Sequence, residues 1–144
     1  MLILYIISIL LSWIYYSYYT KVNNFIQINQ VFLEDFKPDL LYEKNPILIY
    51  DRLQNPDDLT KTIFKYTFLF KKNIKKNLYI TKSKYTIVYS EKDTIINITP
   101  RENFVTIKIA PYQVIILPYG WKISSEDTLD LIQLDDIFSK IFCH

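Results

Sequence analysis

Hydrophobic positions divide this chain into one long apolar block and a series of short alternating runs. The block comes first: residues 1–20, MLILYIISILLSWIYYSYYT, hold no charged side chain, and Lys21 is the first charge. At about 1.5 Å of rise per residue, a helix of that length reaches across the roughly 30 Å hydrocarbon core of a bilayer. Trp13, Tyr15, Tyr16, Tyr18 and Tyr19 crowd its exit as an interfacial belt does. Two other readings compete. A cleaved signal wants a basic start and a small-residue cleavage site, and neither is present. A buried core helix is hard to wrap in so small a domain. The expectation is therefore a retained single-pass anchor over 1–20, with Leu2, Ile6, Ile9, Leu10, Trp13, Ile14, Tyr16 and Tyr19 facing lipid.

Residues 21–45 read as a connector, with Val31, Phe32, Leu33 and Phe36 as apolar contacts and Pro38 and Pro46 as punctuation. Residues 46–144 read as one β-rich domain. Ile47-Leu48-Ile49-Tyr50 is a buried strand. Asn55-Pro56-Asp57-Asp58 is a helix start: Asn55 caps, Pro56 suits the first turn, and the carboxylates meet the positive end of the dipole. A short helix over about 56–64 follows. Lys71-Lys72-Asn73-Ile74-Lys75-Lys76-Asn77 breaks the pattern and reads as an exposed loop. Strands are expected over 78–81, 85–89, 94–98, 104–109 and 114–117, with another near 129–134 and a closing helix over 135–141. Val105-Thr106-Ile107-Lys108-Ile109 alternates most cleanly. Strand centres about ten residues apart suggest an antiparallel sandwich or barrel.

Composition narrows the function classes. Lys+Arg number 17 against 15 Asp+Glu, a net charge of +2, which makes nucleic acid an unfavoured partner. The single Cys precludes an internal disulfide and fits a reducing compartment. Ile, Asn, Lys and Tyr, all spelled with A/T-rich codons, are heavily used. Orientation of an anchor is weakly cytoplasmic by its lysine-rich flank. The sequon Asn97-Ile98-Thr99 argues the other way, but Pro100 follows it directly and chance is the better account.

Residues 109–123, Ile-Ala-Pro-Tyr-Gln-Val-Ile-Ile-Leu-Pro-Tyr-Gly-Trp-Lys-Ile, resemble the final hairpin of cupin-like and JmjC-like double-stranded β-helix domains. There a hydrophobic strand ends in Pro, a small turn and Trp, as Pro118, Gly120 and Trp121 do here. Lys122 or Ile123 stands where that family places a metal-binding His, so the resemblance implies a barrel that has lost its metal. The chain is also similar in general character to small single-pass proteins of giant DNA virus particles, which lie between an internal membrane and the capsid. Together these imply a mainly β fold. It would be a transmembrane helix followed by a small jelly-roll or cupin-like antiparallel sandwich with one or two short helices.

Catalytic signatures are sparse. Cys143-His144 sits at a terminus without an orienting third group. One glycine cannot build a phosphate-cradling loop. The pairs Asp57-Asp58, Glu126-Asp127 and Asp135-Asp136 read as caps and solvated charges rather than as a glycosidase dyad. No cofactor and no metal is expected. Lys71, Lys72, Lys75, Lys76, Lys82 and Lys84 form the best candidate contact patch, for anionic lipid or an acidic protein.

The leading expectation is a non-enzymatic structural protein that docks to neighbouring proteins, as a minor component of a large DNA virus particle. Its partners would be a lipid bilayer and other structural proteins. The alternatives are a metal-free cupin-like ligand-binding protein or degenerate oxygenase, and a cellular membrane adaptor.

Overall fold

The computed structural model describes residues 1–20, 27–63, 70–100 and 102–142. It is mainly β. Helix α1 (Leu2–Thr20) leads, then strand β1 (Asn29–Val31), two 3-10 segments (Leu33–Asp35 and Pro38–Glu43), β2 (Ile47–Arg52) and α2 (Asp57–Ile63). Strands β3 (Phe70–Ile80), β4 (Tyr85–Tyr89), β5 (Thr94–Thr99), β6 (Val105–Ile109), β7 (Gln113–Pro118) and β8 (Lys122–Asp135) follow, and α3 (Ile137–Phe142) comes last.

Among the described residues all the strands join one 8-stranded sheet, ordered β1-β2-β7-β4-β8-β5-β6, with β3 attached to β8. This corrects the expected jelly-roll or cupin-like sandwich, which needs two separate sheets. One strand removes the need for the second. β3 pairs with β8 along its whole length, from Phe70↔Asp135 to Ile80↔Lys122. The opposite edge of β8 is shared: β4 takes Asp130 to Leu134 and β5 takes Lys122 to Ser125. Between Lys76↔Leu129 and Leu78↔Ser124, four residues of β8 stand against one of β3. Such a bulge bends and twists a ribbon sharply, and here it curls the sheet into a half-barrel.

The period-2 alternation then fills two faces. Leu48, Val88, Ile115, Leu117, Leu129 and Leu131 point to the inner face, where Ile96, Ile98 and Ile109 of the β5–β6 hairpin close over them with Trp121 and Ile123. Ile47, Ile49, Ile87, Val114, Ile116, Ile132 and Leu134 point to the outer face. Leu59 of α2, Leu33, Leu40 and Leu41 of the 3-10 segments and Phe36 between those segments cover that side. β7 is thus buried on both faces, which explains its unbroken Val-Ile-Ile-Leu run.

Two segments depart from the sequence reading. The lysine-rich stretch 71–77 is strand β3, not a loop, because β8 supplies it a full-length partner. The connector carries β1, which pairs parallel to β2 through Asn29↔Ile47 and Val31↔Ile49.

The single-pass anchor is also corrected. Among the described residues no helix is long and apolar enough to cross a membrane. Only Leu2 to Ile14 of α1 is predominantly apolar, about 20 Å at 1.5 Å per residue, and beyond it stand Tyr15, Tyr16 and Ser17. Tyr15 is moreover bound to the β domain. The expected membrane and virion location, which rested on that anchor, falls with it.

Candidate functional site

The richest polar cluster lies where α1 meets the end of β8. Asp136 opens α3 as its cap: Ser139 N–H donates to Asp136 Oδ1 at 2.7 Å, and Asp136 N–H donates back to Ser139 Oγ at 2.9 Å. This reciprocal pairing satisfies a helix start as a capping box does. The second carboxylate oxygen faces outward and collects two donors. Lys84 Nζ lies 2.6 Å from Asp136 Oδ2, and the Tyr15 hydroxyl donates to the same atom at 2.8 Å.

Asp135 secures the layer beneath. It accepts from Lys84 N–H at 3.1 Å and from Ser139 Oγ at 2.9 Å. The Tyr15 ring packs on Phe138 at 5.1 Å between centroids, and Lys84 Nζ sits 5.8 Å over the Tyr15 ring. One aromatic side chain of α1 is therefore held by a hydrogen bond, a ring contact and a cation–π contact at once.

The electrostatics follow from the donors. Partial burial pushes Asp136 upward, but the bonds from Lys84, Ser139 and Tyr15 outweigh it and hold the carboxyl below its ordinary value of 3.8. Asp136 is thus an anion at neutral pH, and the cluster is a charge-assisted latch.

A pocket of about 220 Å³ adjoins the latch, lined by Tyr15, Leu41, Tyr42, Lys44, Lys84, Tyr85, Pro118 and Tyr119. On the other side of Tyr15 an apolar groove of about 540 Å³ runs between α1 and α3, lined by Ser8, Leu11, Ser12, Ile14, Tyr15 and Phe138. Ser8, Ser12 and Tyr15 share one side of α1, on which Ser12 and Tyr15 are half-buried and Ser8 is exposed. Leu2, Ile6, Ile9, Leu10 and Trp13 lie on the opposite face, by 3.6-residue periodicity. All five are exposed, from 55 % for Ile6 to 75 % for Leu2. Ile14 and Tyr16 are exposed as well, and the Tyr19 side chain lies outside the described set.

The predicted basic patch is dispersed. Lys71 and Lys75 lie on one face of β3, bound to Asp57 at 2.9 Å and to Asp130 at 3.3 Å. Lys72 and Lys76 lie on the other face, and Lys76 leans over the Tyr79 ring at 5.8 Å. Lys82 follows the strand, and Lys84 belongs to the latch.

The Pro118–Trp121 turn is structural. Gly120 adopts φ 88°, which a Cβ disfavours. Thr81 clasps the turn: its hydroxyl donates to the Trp121 carbonyl at 2.7 Å and lies 2.9 Å from that of Pro118. Thr81 N–H donates to the Trp121 carbonyl at 2.8 Å, and Gly120 N–H donates to the Thr81 carbonyl at 2.9 Å. Trp121 itself is fully buried in the inner core.

The carboxylate pairs separate into local roles. Asp57 and Asp58 meet Lys71 and Lys61 at the start of α2, and Asp127 meets Lys92 at the β8 bulge. Among the described residues no three His, Cys, Asp or Glu side chains gather as a metal-binding set. Cys143 and His144 lie outside the described residues. Sequence reasoning missed Tyr15 and Ser139 as partners of Asp136. The only signal was the Asp-Asp helix start, which announces a cap but not what binds its outer oxygen.

No family model matches the chain, and neither a curated protein nor a solved structure matches it.

Proposed function

We propose that this protein is a non-enzymatic docking module, in which a rigid β domain holds an apolar helix out for a neighbouring protein to cover. One observation carries the reading. Helix α1 is tied to the domain at Tyr15, yet its apolar side chains from Leu2 to Trp13 are exposed around the helix, Leu4 and Leu11 on the Tyr15 side as well as Leu2, Ile6, Ile9, Leu10 and Trp13 on the other. Contiguous apolar patches of more than a few hundred square ångströms mark interaction sites on soluble folds. The packed interior supports the same reading. Ile, Leu, Val and Trp121 side chains pack together on the inner face of the half-barrel.

A photo-crosslinking amino acid at Ile9 in the full-length protein, in the cells that make it, tests this. The expected product is an adduct with a protein of defined mass, absent when the crosslinker stands at exposed Lys108 instead. Exclusive adducts with lipid, or none, would overturn the reading.

A further inference from the structure

Strand β3 presents a second surface, independent of α1. It runs for 11 residues, about twice the usual strand length, and among the described residues it pairs only with β8. Every second residue of its outer edge therefore offers a backbone N–H and C=O to whatever lies alongside. All but Ile74 and Tyr79 are exposed.

The side chains specify the guest. On one face the charges of Lys71 and Lys75 are met by Asp57 and Asp130. On the other face, among the described residues, Lys72 and Lys76 have no acidic partner, and half-buried Ile74 stands between them. Ile74 sits beside Leu131 in register, so an apolar row runs outward from the core to the sheet edge and stops there. Lysines of like charge on both faces disfavour a second copy of this strand as the neighbour.

We propose that β3 accepts an extended acidic segment of a partner protein as an added strand. The segment is read as acidic-x-apolar-x-acidic on one face. Its apolar residue extends the Leu131–Ile74 row, and its carboxylates meet Lys72 and Lys76. Main-chain pairing supplies affinity, and the alternating side chains supply specificity. The proposal extends the docking reading but does not use α1, so either stands if the other fails.

The test uses the full chain and a capped synthetic peptide centred on Glu-Thr-Ile-Thr-Glu, followed by fluorescence anisotropy at about 50 mM salt to limit screening. The expected result is saturable binding, with slowed hydrogen exchange at alternate amides of Phe70–Ile80. Lys72→Glu with Lys76→Glu should weaken binding by about tenfold or more and favour a Lys-Thr-Ile-Thr-Lys peptide instead. Lys72→Thr with Lys76→Thr, which keeps strand propensity, should weaken binding without that switch. No binding, binding indifferent to both substitutions, or binding that leaves the β3 amides unprotected would each overturn the proposal.

Discussion

The Tyr15 hydroxyl donates to Asp136 Oδ2 at 2.8 Å, joining α1 to a residue 121 positions later. It is a tertiary bond between the first helix and the cap of the last. With the Phe138 ring contact it gives the apolar helix a defined attachment.

Removing only the hydroxyl separates the bond from the ring packing. Tyr15→Phe keeps the Phe138 contact and should cost about 1 kcal/mol, a typical hydrogen bond to a charged group less its partial exposure. Tyr15→Ala removes both and should release α1. Hydrogen exchange over 2–17 should rise modestly in the first variant and strongly in the second, with the β domain protected in both.

The latch has a pH dependence of fixed sign. Asp136 titrates below its ordinary value in the folded state, so its contribution is present above the ordinary carboxylate range. It is lost as pH falls through the folded value, below 3.8. Helix α1 should stay docked through mildly acidic buffer and loosen only under strongly acid conditions. Asp136→Asn should remove that transition, read by Tyr15 side-chain NMR shifts across the titration.

The clasp on the Pro118–Trp121 turn predicts an effect on the stability of the β domain itself. Thr81→Val keeps shape and the Thr81 N–H bond to the Trp121 carbonyl but removes the hydroxyl donor, and should cost about 1 kcal/mol in urea unfolding. Gly120→Ala should cost about 1–2 kcal/mol through its positive φ. Two changes this close should not add.

Exposed charge on β3 should matter little to folding. Lys75→Ala breaks a pair whose lysine is largely solvated but whose Asp130 carboxylate is mostly buried, and should change stability by about 1 kcal/mol or less. Ile132→Ala, buried on the outer face of the same ribbon, should cost about 2–5 kcal/mol. Equal losses in chemical denaturation would contradict the division of β3 into a surface and β8 into a core.

Local elements were legible where side-chain periodicity and burial coincide. Thr94–Thr99 and Val105–Ile109 alternate because one face is covered, Tyr85–Tyr89 is an apolar run buried on both faces, and Asn55 and Asp57 announce α2. β3 was not legible, since Lys71, Lys72, Lys75 and Lys76 are solvated and its order comes from β8 rather than from its own burial. The first half of β8 was hidden likewise, because Ser124, Ser125, Glu126 and Asp127 surround the bulge where alternation breaks. Pairing was least legible. Strand spacing counts strands but does not reveal that one strand serves three neighbours, and the sandwich expectation failed on that point. The uncharged lead suggested a span by length alone, whereas Tyr15 is committed to Asp136. That bond left no trace in either local pattern.

Placing the shared strand β8 after every other strand has a consequence during synthesis. Translation proceeds at about 5–20 residues per second, so on the order of ten seconds separates the emergence of α1 from that of β8. Until then β3, β4 and β5 lack their common neighbour, and the Asp136 acceptor for Tyr15 has not been made. The nascent chain therefore carries a bare greasy helix ahead of an unclosed sheet, and its yield should depend on a chaperone that shelters the first segment on the ribosome.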